Sequence, residues 1–461
     1  MVFKLTTLLP QNPWWRNGNW EQDDKDLRDI DILIDRRPVD IDMKGTTILR
    51  GIRRSGKTVY LKMLVRKVMD SGIDRKDILY LSGDRNNYRE IKGIVHEFFL
   101  RQGTTVLFLD EITYIPNWNA LLKELHETMD ITIIATGSDP VQLRQKGERL
   151  PGRGVEGNEY YFDPLSFGEH VRALRKAAGK MASGPLSKAL KDLEGIPVDT
   201  YPPGQPMVDG IFPYFIPLEK MFISYLLTGG FPSVTREYVR TGRISDGSFE
   251  TVVRVLLGAL SKNGRSEETG REILQQLLIG MGGRTDYITI AENTGVHHAT
   301  VREYLDIMEG ARMTYTIHCW DLAQKRHAPR KQKKFVFQSP LLAAALHKYL
   351  SGGTWDDTMD FMDKNMEALV EATVMSHLVW SGERPQMHEQ HAFAGFYYNK
   401  KECDCVLLSE KGFQGYEVKY GKVERADFPF PVTYISKDSL DKDTIPASVF
   451  LYGLEKGQWC I

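Results

Sequence analysis

A glycine-rich stretch close to the start of the chain has the composition and spacing of a phosphate-binding loop. Residues 51–58 read GIRRSGKT, in which two glycines separated by four residues are followed by a lysine and a threonine. Glycines let backbone N–H groups approach a phosphate chain, and a helix that begins there adds partial positive charge. We therefore expect ATP to bind here, with the lysine on the β- and γ-phosphates and the threonine on Mg²⁺. The residues predicted to bind ATP are Gly51, Arg54, Ser55, Gly56, Lys57 and Thr58.

An acidic pair follows an apolar run further along, TVLFL at residues 105–109. We expect Asp110 to hold Mg²⁺ and Glu111 to orient and deprotonate the attacking water. Two acids at a strand end are also common as solvated caps, but their position between this run and a predicted helix favours catalysis. Another apolar run leads to Ser138, which is expected either to sense the γ-phosphate or simply to cap a turn.

Elements of two kinds must position these side chains. Short β-rich runs at 46–50, 78–81, 105–109 and 131–136 alternate with helical patterns such as 59–69 and 119–129. Strands that alternate with helices predict a parallel sheet in an α/β fold, with the ligand at the carboxyl edge of the strands. The sequence therefore predicts one nucleotide site at that edge.

A second group of chemically useful residues lies near the C-terminus. A helix over 365–379 carries Glu371, and two later strands carry Asp404 and the pair Glu417-x-Lys419. Alternation puts Glu417 and Lys419 on one face of a strand, where they can meet Asp404. This hairpin resembles the PD-(D/E)xK nuclease core, in which carboxylates hold Mg²⁺ and the lysine orients water. The alternative is an inactive fold in which Asp404 and Lys419 form an ion pair. Cys403 and Cys405 lack the partners of a zinc site and should face the core.

Three helical patterns and two strands between these regions predict a winged helix-turn-helix. The helices are 271–281, 288–293 and 298–309, and the strands are 313–319 and 333–337. On DNA, the third helix would face the major groove and the basic hairpin would contact phosphates. The alternative is a protein-interaction module with a solvated hairpin, which Glu303, Asp306 and Glu309 favour. The predicted DNA contacts are His297, His298, Thr300 and Arg302 on the helix, and Lys325, Arg326, Arg330, Lys331, Lys333 and Lys334 in the basic run.

The middle of the chain shows helical patterns at 167–180, 186–193, 219–227 and 248–260. Six prolines within 195–217 predict a loop excursion or a hairpin over that range. The later helices are expected to form a lid over the nucleotide.

Several motifs occur in an order that resembles one known family. After the phosphate-binding loop come VLFLDEI, TGS, LPGRG at 150–154, PLSFGEH at 164–170 and TGGFP at 228–232. The chain is similar to prokaryotic, often archaeal, AAA-type ATPases that carry the C-terminal domain of unknown function 4143. The resemblance implies ATP hydrolysis, a homo-oligomeric ring or smaller assembly, and a role for Arg153 at a γ-phosphate, in cis or across subunits. The alternative for Arg153 is a structural pair with Glu156 or Glu159.

The composition of the chain excludes several classes of protein. Sixty Lys and Arg against 61 Asp and Glu give the 461 residues a net charge of −1, so any nucleic-acid binding must use local patches. A hydrophobic content of 42% excludes a disordered chain, no apolar run spans a membrane, and four cysteines favour a reducing cytoplasm.

These observations together predict an ATP-driven switch or motor that couples its nucleotide state to C-terminal domains on DNA. The alternative is a regulatory or scaffold ATPase with an inactive nuclease fold. The expected α/β fold is a P-loop AAA-type parallel sheet with a helical lid, then a winged helix and a restriction-endonuclease-like domain. The predicted divisions are an N-terminal extension at 1–44, the ATPase core at 45–165, the lid at 166–265, the winged helix at 266–345 and the nuclease-like domain at 346–461.

Overall fold

The computed structural model describes residues 5–30, 45–138, 159–178, 184–197, 210–382 and 393–454. The chain divides into two compact units, an N-terminal unit of residues 1–163 and a C-terminal unit of residues 164–461. Among the described residues, no helix combines the length and apolar character that crossing a bilayer requires.

The N-terminal unit is built on a five-stranded sheet with the order β2-β3-β4-β1-β5. All four pairings are parallel, which confirms the predicted parallel α/β sheet. The strands are β1 (Thr46–Arg50), β2 (Ile78–Ser82), β3 (Val106–Asp110), β4 (Thr132–Gly137) and β5 (Glu159–Tyr161).

Helices cover both faces of this sheet, as parallel sheets require. On one face, Ile91 and Leu121 belong to a core cluster with Leu107. On the other face, Leu61 packs in a second cluster with Phe108. The helices of this unit are α1 (Leu5–Leu8), α2 (Lys57–Asp70), α3 (Tyr88–Gln102) and α4 (Trp118–Thr128).

The N-terminal arm, residues 5–30, packs on the same sheet. Trp14 and Trp20 are fully buried in the second cluster. The amide of Asn12 donates to the carbonyl oxygen of Tyr80 at 3.0 Å and accepts from the backbone N–H of Tyr80 at 2.7 Å. Because β2 is an edge strand, these bonds satisfy backbone groups that would otherwise face solvent. The arm therefore closes one edge of the sheet.

The C-terminal unit is largely helical and contains a second five-stranded sheet. Its helices are α5 (Phe167–Ala177), α6 (Ser187–Asp192), α7 (Phe215–Thr228), α8 (Pro232–Thr241), α9 (Asp246–Lys262), α10 (Glu267–Ile279), α11 (Tyr287–Thr294), α12 (His298–Gly310), α13 (Pro340–Ser351), α14 (Trp355–Lys364), α15 (Met366–Gly382) and α16 (Ala447–Gly453).

The sheet of this unit has the order β10-β11-β12-β13-β14. Its first three strands are antiparallel, whereas β13 and β14 continue the sheet in parallel pairings. Two antiparallel pairs, β6 with β9 and β7 with β8, form two further two-stranded sheets. The strands are β6 (Thr314–His318), β7 (Trp320–Asp321), β8 (Arg326–His327), β9 (Lys333–Phe337), β10 (Ala394–Asn399), β11 (Lys401–Ser409), β12 (Gly412–Lys419), β13 (Val432–Ser436) and β14 (Thr444–Pro446).

The helices and strands expected in this unit are present with shifts of a few residues at their ends, but one expectation is wrong. The predicted loop over 195–217 does not extend to its end, because a 3₁₀ turn spans Phe212–Tyr214 and α7 begins at Phe215. Pro217 lies in the first turn of α7, where its missing N–H has no intrahelical partner to lose. Prolines mark helix starts here as well as loops.

Candidate functional site

The phosphate-binding loop joins the end of β1 to the start of α2. Its backbone takes left-handed conformations at Arg54, with φ 69°, and at Gly56, with φ 95°. A Cβ added to Gly51 would lie 1.9 Å from the carbonyl oxygen of Phe162, so a larger residue does not fit there. The loop is thus wound tightly next to β5, with the side chain of Ser55 buried and that of Arg54 exposed.

Lys57 is folded back into this loop. Its ammonium donates to the carbonyl oxygens of Gly51 and Ile52, each at 2.9 Å. The side chain is only 4% exposed, so these carbonyls hold a buried positive charge at the centre of the loop. A phosphate entering the loop would meet this charge directly.

Asp110 is the centre of a network of hydroxyl groups. Its Oδ2 accepts from the Thr58 hydroxyl at 2.7 Å and from the Tyr80 hydroxyl at 2.7 Å, and its Oδ1 accepts from Thr136. Burial, and then the charge of Asp110, hold the pKa of Tyr80 well above its ordinary value, so Tyr80 remains a donor. The structure therefore brings the two predicted Mg²⁺ ligands, Thr58 and Asp110, into direct contact.

Glu111 lies beside this network in a left-handed conformation with φ 49° and ψ 43°. Its backbone N–H donates to the Thr136 hydroxyl at 2.9 Å, and its carboxylate accepts from the Ser138 hydroxyl at 2.8 Å. Arg53 donates to the same Ser138 oxygen at 3.4 Å. A non-glycine residue at positive φ costs about 1–3 kcal/mol and is often found at functional sites. Ser138 is therefore adjacent to the predicted catalytic base.

The donor set suits Mg²⁺. Thr58 and Asp110 supply hard oxygen atoms, and the Thr58 proton already points to Asp110, which leaves its lone pairs for a cation. Among the described residues, no group of three or more His, Cys, Asp or Glu side chains is arranged to hold a metal ion. Mg²⁺ sites of this kind rely on substrate phosphates for the remaining ligands. The predicted arginine, Arg153, lies outside the described residues.

A second cluster of charges lies in the C-terminal unit around Lys334, on β9. Its ammonium is paired with Glu371 at 2.7 Å, with Glu402 at 2.6 Å and with Asp404 at 2.9 Å. The residue is 1% exposed. Burial disfavours its charged form, but the carboxylates of Glu371, Asp404 and Glu402 outweigh this and hold the pKa of Lys334 well above its ordinary value. Lys334 is the shared cation of this acidic cluster.

The predicted quartet of Glu371, Asp404, Glu417 and Lys419 belongs to this cluster. The N–H of Asp404 donates to Glu417 at 3.0 Å, and Lys419 pairs with Glu417 at 2.7 Å. Burial, followed by the charge of Asp404, raises the pKa of Glu371 to about 8 and raises that of Glu417. The structure thus brings the four residues together and adds two that the sequence did not indicate, Glu402 and Lys334.

The basic run requires a correction. Lys333 and Lys334 were expected among exposed phosphate contacts, but both are buried because they lie within β9, and Lys334 faces the acidic cluster. The other four residues, Lys325, Arg326, Arg330 and Lys331, are exposed. On α12, His298 and Arg302 are exposed and Thr300 is half-buried, whereas His297 caps the helix by accepting from the N–H of Ala299 at 3.3 Å. Cys403 and Cys405 are buried, as predicted.

One known family model matches most of the N-terminal unit. Residues 44–171 match a family model described as an AAA domain. This part of the chain is therefore similar to an AAA domain. Its phosphate-binding loop, Asp110 and Glu111 all lie within the matched range. An AAA domain in this position supports nucleotide binding and ATPase activity.

The family model that matches the region after the AAA domain is a domain of unknown function, DUF8612, over residues 219–351. The prediction of domain 4143 is therefore wrong. The motifs that suggested it all end by residue 232, so they carried no information on the sequence that follows.

Two curated proteins are similar to much of the chain. An uncharacterized protein of Haemophilus influenzae is 24% identical over 319 residues, which are 65% of this chain and 69% of that protein. An uncharacterized protein of Methanocaldococcus jannaschii is 25% identical over 342 residues, which are 69% of this chain and 67% of that protein.

Two solved structures show weaker likeness. The Aeropyrum pernix ORC1 protein in complex with DNA is 13% identical, with a TM-score of 0.31 over 70% of this chain and 89% of that one. The Aeropyrum pernix ORC2 protein, in ADPNP and ADP complexes, is 12% identical, with a TM-score of 0.25 over 67% and 89%. Scores of this size do not establish a common arrangement over the aligned length.

Sequence patterns missed two hydroxyl donors of the AAA domain. Tyr80 lies in an apolar strand, ILYLS, where an aromatic residue is ordinarily a core residue. Thr136 is the last residue of the predicted strand 131–136 and precedes the glycine that ends β4, and the sequence pattern indicated no separate role for its hydroxyl. The signal that could have found them is strand order, because β2 and β4 flank β3 and so must flank Asp110.

Proposed function

We propose that this protein binds and hydrolyses ATP in its AAA domain and couples the nucleotide state to nucleic-acid binding by its C-terminal unit. The observation that supports the first part is the hydrogen bond between Thr58 and Asp110, at 2.7 Å, beside the buried ammonium of Lys57. This bond joins the end of the phosphate-binding loop to the acidic residue at the end of β3. Phosphoryl transfer to water requires both parts.

In this proposal the loop amides and Lys57 bind the β- and γ-phosphates, which replace the carbonyl oxygens that the ammonium contacts now. Arg54 and Ser55 complete the loop, and Ser138 contacts the γ-phosphate side. Mg²⁺, when bound with ATP, would neutralise charge on the phosphate oxygens. Thr58 and Asp110 would hold it, and the hydroxyls of Tyr80 and Thr136 fix the orientation of the Asp110 carboxylate.

Glu111 is the proposed general base. Its carboxylate is held by the Ser138 hydroxyl, and its backbone is held by Thr136, so the side chain is oriented before substrate binds. A water between this carboxylate and the γ-phosphate would lose its proton to Glu111 as its oxygen bonds to the γ-phosphorus. The bond from that phosphorus to the bridging oxygen would break, and ADP would leave. We further propose that Arg153 stabilises the charge that develops on the γ-phosphate, within one chain or across the subunits of a homo-oligomer.

The nucleic-acid part of the proposal rests on α12 and on the exposed basic residues of 325–331, which we call the basic hairpin. The succession α10, α11, α12, β6 and β9 has the order of a winged helix-turn-helix. His298 and Arg302 are exposed on its third helix, while Lys325, Arg326, Arg330 and Lys331 give the hairpin a positive charge suited to phosphates. Arg302 also faces Asp306 at 3.8 Å, which weakens its positive field.

For the nuclease-like sheet we propose a catalytically inactive role. An active PD-(D/E)xK site needs its carboxylates for divalent metal. Here Glu371 and Asp404 share the buried ammonium of Lys334, whose charge supplies the compensation that a metal ion would otherwise supply. A bound metal and this lysine would compete for the same oxygens. The order β10-β11-β12-β13 and the placement of Glu417 beside Lys419 support the fold assignment itself.

The ATPase proposal is tested by steady-state turnover of the full chain with ATP and Mg²⁺. We expect turnover in the unmodified protein, binding without turnover in Glu111→Gln, and neither in Lys57→Ala. Full turnover in Glu111→Gln would overturn the role of Glu111.

The second candidate function, a regulatory ATPase whose C-terminal unit binds protein, is favoured by the acids on α12. Filter binding of duplex DNA over a salt series separates the two. Binding whose affinity falls steeply with salt supports phosphate contacts, whereas no binding at low salt supports the protein-binding alternative.

A further inference from the structure

The C-terminal unit contains a cavity of about 400 Å³ close to the Lys334 cluster. It lies where the segment before α11, the residues that lead into β9 and the turn between β10 and β11 meet. The side chains that line it include Arg284, Lys331, Phe396, Tyr398 and Lys400. A volume of this size is in the range of ordinary small-ligand sites.

The charge of this cavity is positive. Arg284, Lys331 and Lys400 line it, and within the described part of the chain no acidic side chain does. Glu402 is nearby, but its carboxylate is shared between Arg284 at 2.6 Å and Lys334 at 2.6 Å. The lysines at 331 and 400 are exposed, so they add charge to the rim. An anionic group is the natural ligand of such a cavity.

Aromatic rings provide a second recognition element. Phe396 is buried, whereas Tyr398 is 37% exposed. The guanidinium of Arg284 lies 3.4 Å from the centroid of the Tyr398 ring and is fixed from another side by Glu402. This stack holds a planar donor group and a flat apolar surface in fixed positions before any ligand arrives. An aromatic ring beside positively charged side chains is the arrangement on which nucleic-acid bases stack while their phosphates are paired.

We propose that this cavity binds one nucleotide of a single-stranded nucleic acid, with its base against Tyr398 and its phosphate among Arg284, Lys331 and Lys400. A cavity of this volume has room for an unstacked base and excludes a base pair within a duplex. An acidic peptide would use the cations but not the ring. The inference rests on the proposed nucleic-acid function and adds the class of strand that the unit recognises.

Continuity with the basic hairpin supports this assignment. Lys331 follows directly after Arg330, and Arg326 lies in β8 of the same hairpin. A strand whose phosphates run along these side chains reaches the cavity at its Lys331 side. The hairpin would then track the backbone while the cavity holds one base.

The test is fluorescence anisotropy of a labelled oligothymidylate with the full chain, without ATP, in EDTA and over a salt series. We expect Tyr398→Ala to weaken binding by about tenfold, and Tyr398→Phe, which keeps the ring, to bind as the unmodified chain does. Lys331→Gln and Lys400→Gln should each lower the slope of log affinity against log salt by about 0.7.

Lys411→Gln is the matched control, because Lys411 is an exposed turn lysine at the opposite end of β11 from Lys400. It should leave affinity unchanged. The proposal is overturned if Tyr398→Ala binds the oligonucleotide with the affinity of the unmodified chain. It is also overturned if polyglutamate of equal charge displaces the labelled oligonucleotide as effectively as unlabelled oligothymidylate does. Binding of duplex but not of single-stranded DNA would overturn the cavity assignment and leave the proposed nucleic-acid function intact. ATP turnover is measured separately.

Discussion

The ammonium of Lys334 and the carboxylate of Asp404 lie 2.9 Å apart, although 70 residues separate them along the chain. The same ammonium contacts Glu371 and Glu402, so three carboxyl groups share one buried cation. Asp404 lies on β11 and also accepts from the N–H of Val418 on β12 at 2.9 Å, so the same carboxylate links two adjacent strands of the C-terminal sheet. The cation of this acidic cluster is therefore supplied by a side chain of the protein.

Replacing Lys334 should destabilise the chain strongly. Lys334→Met leaves buried carboxylates without a cation, which costs about 3–5 kcal/mol when one partner of a buried pair is removed. Urea unfolding of the full chain should show this loss, with Lys411→Met as the exposed control. In Lys334→Met, millimolar Mn²⁺ should raise the melting temperature, whereas the unmodified chain should show no such rise. Equal metal responses in the two proteins would contradict the assignment of Lys334 as an internal cation.

The unmodified chain should not cleave DNA. Because Glu371 and Asp404 are already paired with Lys334, Mg²⁺ or Mn²⁺ should produce no nicks in supercoiled plasmid. The decisive result against this view is metal-dependent nicking that disappears in both Asp404→Ala and Glu417→Ala.

The hydroxyl of Tyr80 should affect the Mg²⁺ requirement of ATP turnover. It donates to Asp110 at 2.7 Å, and loss of a group that orients a metal ligand typically weakens metal affinity by about tenfold or more. We expect Tyr80→Phe to need about tenfold more Mg²⁺ for half-maximal turnover. Tyr88→Phe is the control, since the Tyr88 hydroxyl donates to a different carboxylate, that of Glu124. A Mg²⁺ titration that superimposes for Tyr80→Phe and the control would show that this bond has no such role.

His170 should make stability depend on pH. Burial lowers the pKa of His170 to about 3 in the folded chain, against 6.5 for an ordinary histidine. Below about pH 6.5 the unfolded chain takes up a proton that the folded chain does not, so stability is present above that pH and is lost as pH falls. The loss approaches about 1.4 kcal/mol per pH unit.

The measurement is urea unfolding of the full chain at pH 7 and pH 5.5. His170→Gln, which retains a polar group beside Ser224, should lose less stability than the unmodified chain over this interval. The comparison cancels the contribution of the other titrating groups. Identical pH dependence in the two proteins would mean that His170 takes up a proton without unfolding.

Patterns of apolar residues predicted the parallel sheet well. The run TTILR became β1 with the same limits, because a short β-rich run bounded by Gly45 and Gly51 has no competing pattern. Strand order then brought Thr58 and Asp110 together at the carboxyl edge, as the spacing suggested. Sequence patterns were therefore sufficient to predict the strands and the residues at their carboxyl ends.

Other features depend on partners far along the chain and could not be predicted. Lys334 follows Lys333 in a basic run, and only the folded positions of Glu402 and Asp404 reveal why it is buried. Asn12 looks like an ordinary loop residue until the edge of β2 supplies its two hydrogen bonds. Neither relation leaves a periodic signal in the sequence.

Calorimetry of nucleotide binding tests the central claim most directly. A non-hydrolysable ATP analogue with Mg²⁺ should bind the full chain saturably, and Lys57→Ala should remove this binding because it deletes the buried ammonium of the loop. Lys67→Ala, a change on the same helix beyond the loop, should bind as the unmodified protein does. Absence of binding to the unmodified chain, or equal binding by Lys57→Ala, would contradict the account.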